Sequence, residues 1–431
     1  MNRPFLHRGL LLLLLPLVAA CNDDPGAIGS GYLPEVTEFH TYTLAPGEIA
    51  LTSGVSALGN SSAEGGAVML AGATSAGERA HGLFAFVGVP GILDDGINRT
   101  VTAATLTLHA TGYALGDTLA ARAAFDVVAF DGTFASNAKW SDTLIAKVNA
   151  GEVLGSADAP VTKNAPVTVT LNADATGRFL RTFYRYDTTG VVNGTAQRTF
   201  KVLKSLALRA RDGSSIVGVY GLAGIDSLLP ALKVTFSGDT SATMQPNVTS
   251  WIAMADTSGG AGRFVLGGGT AERTLVTFNL DSIPADATIH QAEFRFTLRD
   301  SRHGTSGEPS SLIAAIARDT SFRPATYLTN PNTQEYVTAT RVTEGSTLTP
   351  RYRIANFGSV LTLWQLYRRG FTGNATPNRG LIMHLNRSLT SLLAHETVTL
   401  DRYEFYGTDA ADSTLRPTLT VIYSVQTDAQ Q

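Results

Sequence analysis

The stretch Ile289-His290-Gln291-Ala292-Glu293-Phe294-Arg295-Phe296 alternates in polarity: Ala292, Phe294 and Phe296 share one side of an extended chain, Glu293 and Arg295 the other. Successive side chains of a strand point to opposite faces, so this is a strand with one face in a core and one in water. Half-buried strands of this kind belong to antiparallel sheets. The same strand is written earlier in the chain. In Val101-Thr102-Ala103-Ala104-Thr105-Leu106-Thr107-Leu108, residues 101, 103, 105 and 107 alternate with 102, 104, 106 and 108.

Three more blocks recur around it in the same order, and internal repetition of this kind sets the architecture. Val68–Thr74 (VMLAGAT) matches Phe264–Thr270 (FVLGGGT), and Leu83–Phe86 matches Leu275–Phe278, with Pro90 and Pro284 following. Leu229–Ser237 matches Arg416–Ser424, where Thr418, Thr420 and Ile422 alternate with Leu419, Val421 and Tyr423. The offset drifts only from 196 (Val68 to Phe264) to 187 (Leu229 to Arg416). Gly-, Pro-, Asp- and Ser-rich turns separate the runs, as in a sandwich or barrel. One helix interrupts each unit: Phe179, Leu180, Phe183 and Tyr184 in the first, Val360, Leu361, Trp364 and Tyr367 in the second. Trp364 reads as a plug for the end of a core rather than as a platform for a sugar.

The 431 residues are 44% hydrophobic and 16% charged, with a net charge of −3 and no long basic run. That excludes wholesale disorder and argues against a nucleic-acid partner held by phosphate neutralisation. Arg3 and Arg8 precede an apolar run from Gly9 to Val18, the layout of a secretory signal and too short to span a bilayer. The run ends in Val18-Ala19-Ala20-Cys21, and Cys21 is the only cysteine. This resembles the bacterial lipobox, in which the thiol takes a diacylglycerol before cleavage. Cys21 is therefore the expected lipidation site, and the membrane is a partner through its acyl chains. With that thiol used, no internal disulfide can form. Asn22 to Pro34 reads as a flexible, acidic stalk, and acid just after the cysteine resembles the export signal of surface lipoproteins.

Within the second copy, Glu272-Arg273-Thr274-Leu275-Val276-Thr277-Phe278-Asn279-Leu280-Asp281-Ser282-Ile283-Pro284 and the following Ala285–Ile289 and Ala292–Phe296 resemble the module named DNRLRE. Trp364 to Leu381, with Asn378-Arg379-Gly380-Leu381, and Arg416–Tyr423 resemble it too; the first copy lacks the F-D-L signature and carries an insertion at 91–100. The resemblance implies a jelly-roll-like β-sandwich and names no activity. The expected fold is thus all-β: two tandem jelly-roll-like antiparallel β-sandwich domains, each with a short helix. The expected boundaries are a signal peptide at 1–20, lipidated cysteine and stalk at 21–45, domain 1 at 46–238, domain 2 at 239–426 and a tail at 427–431. A fragment spanning about 240–426 is expected to fold alone, because each repeat carries its own closing strand.

Catalytic chemistry is not written in the chain. It holds no G-x-S-x-G elbow, H-E-x-x-H pair, P-loop or dinucleotide fingerprint. Gly267-Gly268-Gly269 lacks a lysine and a following helix, so it reads as a turn. His81, His109, His290, His303, His384 and His395 are not spaced as metal ligands. Asp94, Asp95 and Asp117 in one copy, and Asp401, Glu404 and Asp409 in the other, lie near loops that could hold a structural calcium; no other cofactor is expected. The expectation is a non-catalytic, lipid-anchored envelope protein, placed at the outer membrane, that binds a polysaccharide, a cell-wall component or a surface protein. The alternatives are a structural or assembly lipoprotein of the outer membrane or a secreted matrix, and a hydrolase with an unrecognised site.

Overall fold

The computed structural model describes residues 37–426 except 56–66, 87–98, 136–137, 139, 193–194, 214, 223–225, 255–259, 318–321, 323–335, 343–349, 372–374, 376, 386–395 and 397. The expected signal segment, Cys21, the stalk up to residue 36, Asp94, Asp95, His395 and the tail lie outside the described residues.

The first repeat supplies strands β1 (Thr37–Thr43), β2 (Ile49–Val55), β3 (Val68–Ala73), β4 (Arg79–Ala85), β5 (Val101–Gly116), β6 (Arg122–Asp131), β7 (Glu152–Pro160), β8 (Pro166–Leu171), β9 (Tyr184–Val192), β10 (Thr195–Val202), β11 (Lys204–Ala210), β12 (Ser215–Tyr220) and β13 (Ala231–Phe236). The second supplies β14 (Ser241–Met244), β15 (Val248–Met254), β16 (Phe264–Gly267), β17 (Glu272–Phe278), β18 (Thr288–Arg302), β19 (Ser311–Ile316), β20 (Tyr336–Val342), β21 (Arg351–Ile354), β22 (Leu381–His384), β23 (Arg402–Phe405) and β24 (Thr418–Gln426). All ladders are antiparallel. The described residues are mostly β, with helices Asp142–Ala150, Ala173–Thr182 and Phe357–Arg368 and short 3-10 turns.

In the second body β18-β21-β20-β19-β22-β17-β16-β23 forms a ring that the β18–β23 ladder closes, giving an eight-stranded barrel. The first body repeats the same order as β5, β8, then β7-β6-β11-β4, then β3-β12 back to β5. Here β7 and β8 form no ladder, and one bond, Asn172 N to Leu154 O at 2.7 Å, crosses the gap. The equivalent β20 and β21 do pair, over Thr340–Val342. One body is therefore a closed barrel and the other a curled nine-stranded half-barrel. Among the described residues the hairpin β9–β10 has no counterpart in the second repeat.

Each interior holds one apolar cluster. Ala292, Phe294 and Phe296 point into the second, and Leu419, Val421 and Tyr423 join them from β24, as the alternation requires. Ala104, Leu106 and Leu108 fill the first, but so does Val101, which strict alternation sends outward. A register shift at Thr235/Phe236, opposite Val101, turns it inward. Trp364 is fully buried against the rings of Phe357 and Phe278, at 5.7 and 6.1 Å, so its helix plugs the barrel. Asn172 caps the Ala173–Thr182 helix by accepting from Ala175 N, and its buried face is Ala175, Phe179 and Leu180.

The repeats trade strands. β2 of the first repeat pairs along all of β17, from Val55↔Glu272 to Ile49↔Phe278. Reciprocally, β15 of the second repeat pairs along all of β4, from Met254↔Arg79 to Val248↔Ala85. Likewise β1 pairs with β24, and β14 with β13. The first two strands of each repeat thus complete the other body. The acceptor slots are splayed hairpins: β16 and β17 pair only at Gly267↔Glu272, and β3 and β4 only at Gly72↔Ala80 and Ala73↔Arg79. Ser53 stitches β2 into its slot, donating to Arg263 O at 2.6 Å and accepting from Val265 N at 3.1 Å. Strand β1 falls in the stretch expected as stalk up to residue 45; its seven-residue register with β24 holds it to the barrel.

Candidate functional site

The described surface carries a charged seam between the bodies and an open groove on the first. The seam centres on Asp401, which is fully buried. Its Oδ1 accepts from Tyr113 Oη at 3.0 Å and Gly304 N at 2.9 Å, and its Oδ2 from Tyr403 Oη at 3.3 Å and from Ser306 Oγ. Tyr113 comes from β5 of the first body and itself accepts from Leu400 N at 2.9 Å. Burial pushes the Asp401 carboxyl up, the hydrogen bonds to it pull it back, and burial holds the Tyr113 phenol well above its ordinary range.

Beside it, Glu78 of the first body meets Arg302 of β18 and accepts from Thr74 Oγ1 at 3.0 Å; burial raises its carboxyl too. Glu272 meets Arg402 at 3.1 Å. Glu78, Arg302, Asp401 and Arg402, with Asp300 and Glu404, line a cleft of about 180 Å³, roughly six water volumes. Glu78 and Glu272 are answered by arginines and Asp401 by neutral donors from both bodies, so the cleft is a joint between them. The glycine run belongs to the joint as well. A Cβ on Gly268 would stand 2.6 Å from Thr399 O, and one on Gly269, at φ +69°, would stand 2.4 Å from Trp251 Cη2. Trp251 is carried by the exchanged β15, so the turn is glycine because a strand of the other body lies on it. The motif arginine, Arg273, is 1% exposed and forms a two-point pair with Glu396, Nε–Oε1 2.6 Å and Nη2–Oε2 2.8 Å. That role is structural.

The groove has a volume of about 340 Å³ and opens beside the Asp142–Ala150 helix. Its walls are the ring of Phe134, the hydroxyl-bearing Thr133, Ser141 and Thr143, the side chain of Leu144, and Lys147. The first body thus holds two helices where one was expected, this one and Ala173–Thr182; Ser141 before Leu144, Ile145 and Val148 is its capping signal. In the structure Ser141 Oγ accepts from Leu144 N at 3.3 Å. Beneath the groove lies a cluster of Leu83, Phe130, Val148 and Ile252, the last again from exchanged β15. Trp140 pins the end of the groove loop by stacking on His81 at 5.3 Å and 16°. His81 Nδ1 accepts from Ala210 N at 2.9 Å, and burial, with Arg79 and Arg209 adding to it, lowers the imidazole to about 4.

Of the described carboxylates named for calcium, Asp401 and Glu404 line the same cleft, and Asp117 and Asp409 do not. Asp117 accepts from Leu119 N and Ala120 N in an exposed turn, Asp401 sits in the seam, and Glu404 meets Arg263 and Arg299 at 3.4 Å each. Asp409 lies in the turn after β23, beside Gly407. Among the described residues no three His, Cys, Asp or Glu side chains converge to hold a metal. The histidines are apart too: His303 stacks toward Tyr403, His290 bonds Ser424 Oγ at 2.7 Å, and His384 is buried against Leu385 O. The chain matches no known family, no curated protein and no solved structure. No helix among the described residues is long and apolar enough to cross a membrane.

Proposed function

We propose that the protein is a non-catalytic, lipid-anchored component of the bacterial cell envelope, outer membrane in placement, whose fused β bodies bind a polysaccharide. The groove beside Asp142–Ala150 carries this reading. Phe134, three hydroxyl side chains and one ammonium line about 340 Å³, the residue types that stack on a sugar and hydrogen-bond its oxygens. The lipobox at Cys21 supports the anchor.

The strand order supports the finer reading of each body as a jelly-roll sandwich of the DNRLRE kind. Strands β3-β12-β5-β8 opposite β4-β11-β6-β7, and β16-β23-β18-β21 opposite β17-β22-β19-β20, follow jelly-roll order. The structural or assembly role is the second reading, favoured by the seam, where Asp401 is held by donors of both bodies and Glu78 and Glu272 meet arginines.

A glycan array probed with soluble residues 22–431, with and without calcium, tests the proposal. Binding to one polysaccharide class is expected, weakened about tenfold in Phe134→Ala, the loss of one stacked ring at roughly 1.4 kcal/mol. Lys147→Ala, on the exposed side of the helix, serves as the second variant should Phe134→Ala disturb folding. No binding to any glycan favours the structural role.

A further inference from the structure

We propose that the second body rests on the lipid bilayer through an aromatic patch of Phe39, Tyr367 and Phe371 with Arg369 beside it, so that the first body and its groove point away from the membrane. This builds on the lipid-anchor reading of Cys21.

The large, exposed aromatic side chains of the described surface are these three: Phe39 at 56%, Tyr367 at 45% and Phe371 at 58%. All belong to the second body, Phe39 because strand exchange carries β1 there. The contacts gather them at one end. Phe39 sits opposite Ser424, which in turn sits opposite Thr288 at the start of β18, and the ring of Phe39 lies 5.0 Å from that of His290. Arg369 donates to Ala285 O at 2.8 Å and Ala287 O at 2.7 Å, just before Thr288, which fixes the end of the Phe357–Arg368 helix there. Tyr367 and Phe371 flank Arg369 in the chain.

The anchor enters at the same end. Thr37 begins β1 two residues before Phe39, and Cys21 lies 16 residues earlier. Sixteen residues reach about 55 Å at full stretch and roughly 22 Å as a coil. Acyl chains in the membrane therefore keep this end of the barrel within that reach of the headgroups. Aromatic rings with an arginine at hand are the side chains that settle in that interfacial layer. In a chain without the exchange, the first repeat would follow the anchor and lie nearest the lipid.

The test uses the full-length, acylated protein in vesicles of phosphatidylethanolamine and phosphatidylglycerol brominated near the headgroups. Phe39→Trp, Phe371→Trp and Leu119→Trp are compared with wild type, Leu119 being a fully exposed position on the first body. The fluorescence added at 39 and 371 should be quenched at least twofold, and that at 119 should not. Unquenched signals at 39 and 371, or equal quenching at all three sites, overturn the orientation. Acyl labelling of the same preparations, absent in Cys21→Ser, reports the anchor separately. Labelled protein with unquenched tryptophans removes the orientation alone; unlabelled wild type removes both.

Discussion

At the scale of single residues, the buried polar groups serve as joints. His81 shows this most directly, because its imidazole holds the Ala210 amide and the Trp140 ring at once. Lowered from 6.5 to about 4, it takes up a proton in the unfolded chain before it does so in the folded one. Its contribution to stability is complete above pH 6.5 and is lost as pH falls through 4, about 3 kcal/mol in all. Glu78 and Asp401, raised by burial, act in the opposite sense, stabilising as pH falls. Denaturation of wild type and His81→Asn from pH 7 to 4 separates the two. The amide oxygen can accept from Ala210 N without titrating, so the variant should lose less stability on acidification. Parallel curves would show that His81 does not titrate across folding. Arg273 and Glu396 form a second joint, and removing either would leave a buried charge alone, a cost of about 3–5 kcal/mol.

At the scale of elements, the exchanged strands govern stability. The alternation at 289–296 was legible because it depends only on which face meets the core. The partner of β2 was not, since a strand's pattern names its face and leaves open which neighbour it pairs with. A fragment of residues 240–426 keeps β14 to β24 but loses β1 and β2, and with them Leu44, Ile49 and Leu51 from the barrel core. At about 1.5–3 kcal/mol each, their loss is comparable with the whole stability of a typical domain, about 5–15 kcal/mol. The fragment should therefore fail to fold cooperatively by circular dichroism, and a peptide of residues 37–55 added in trans should restore the transition. A cooperative transition without the peptide would mean that the exchange is dispensable.

At the scale of the whole molecule, the seam ties the two bodies together through buried polar contacts. Asp401→Ala leaves the Tyr113 hydroxyl and the Gly304 amide buried without an acceptor, about 1–3 kcal/mol for each group. Its thermal unfolding should come at lower temperature than that of wild type. Asp401→Asn, which keeps one acceptor, should fall between them, and a wild-type transition in both would mean that the seam carries no load. Sequence reading placed Asp401 among loop carboxylates because its neighbours in the chain are turn-like. Its four donors come from residues 113, 304, 306 and 403, and their convergence is not written in any local pattern.

The chain by itself determined that the protein is built of β strands, that its strands come twice in one order, and that Trp364 belongs to a core. Periodicity and repetition are local properties, and the side chains declare them wherever the chain runs. Which strands completed which body, that one ring closed and the other stayed open, and that the glycine turn and Asp401 met the opposite body were decided only in three dimensions. Those outcomes depend on contacts between residues far apart in the chain, 288 positions for Tyr113 and Asp401 and 377 for Thr43 and Thr420, and free energy of that kind exists only once the chain has brought its distant parts together.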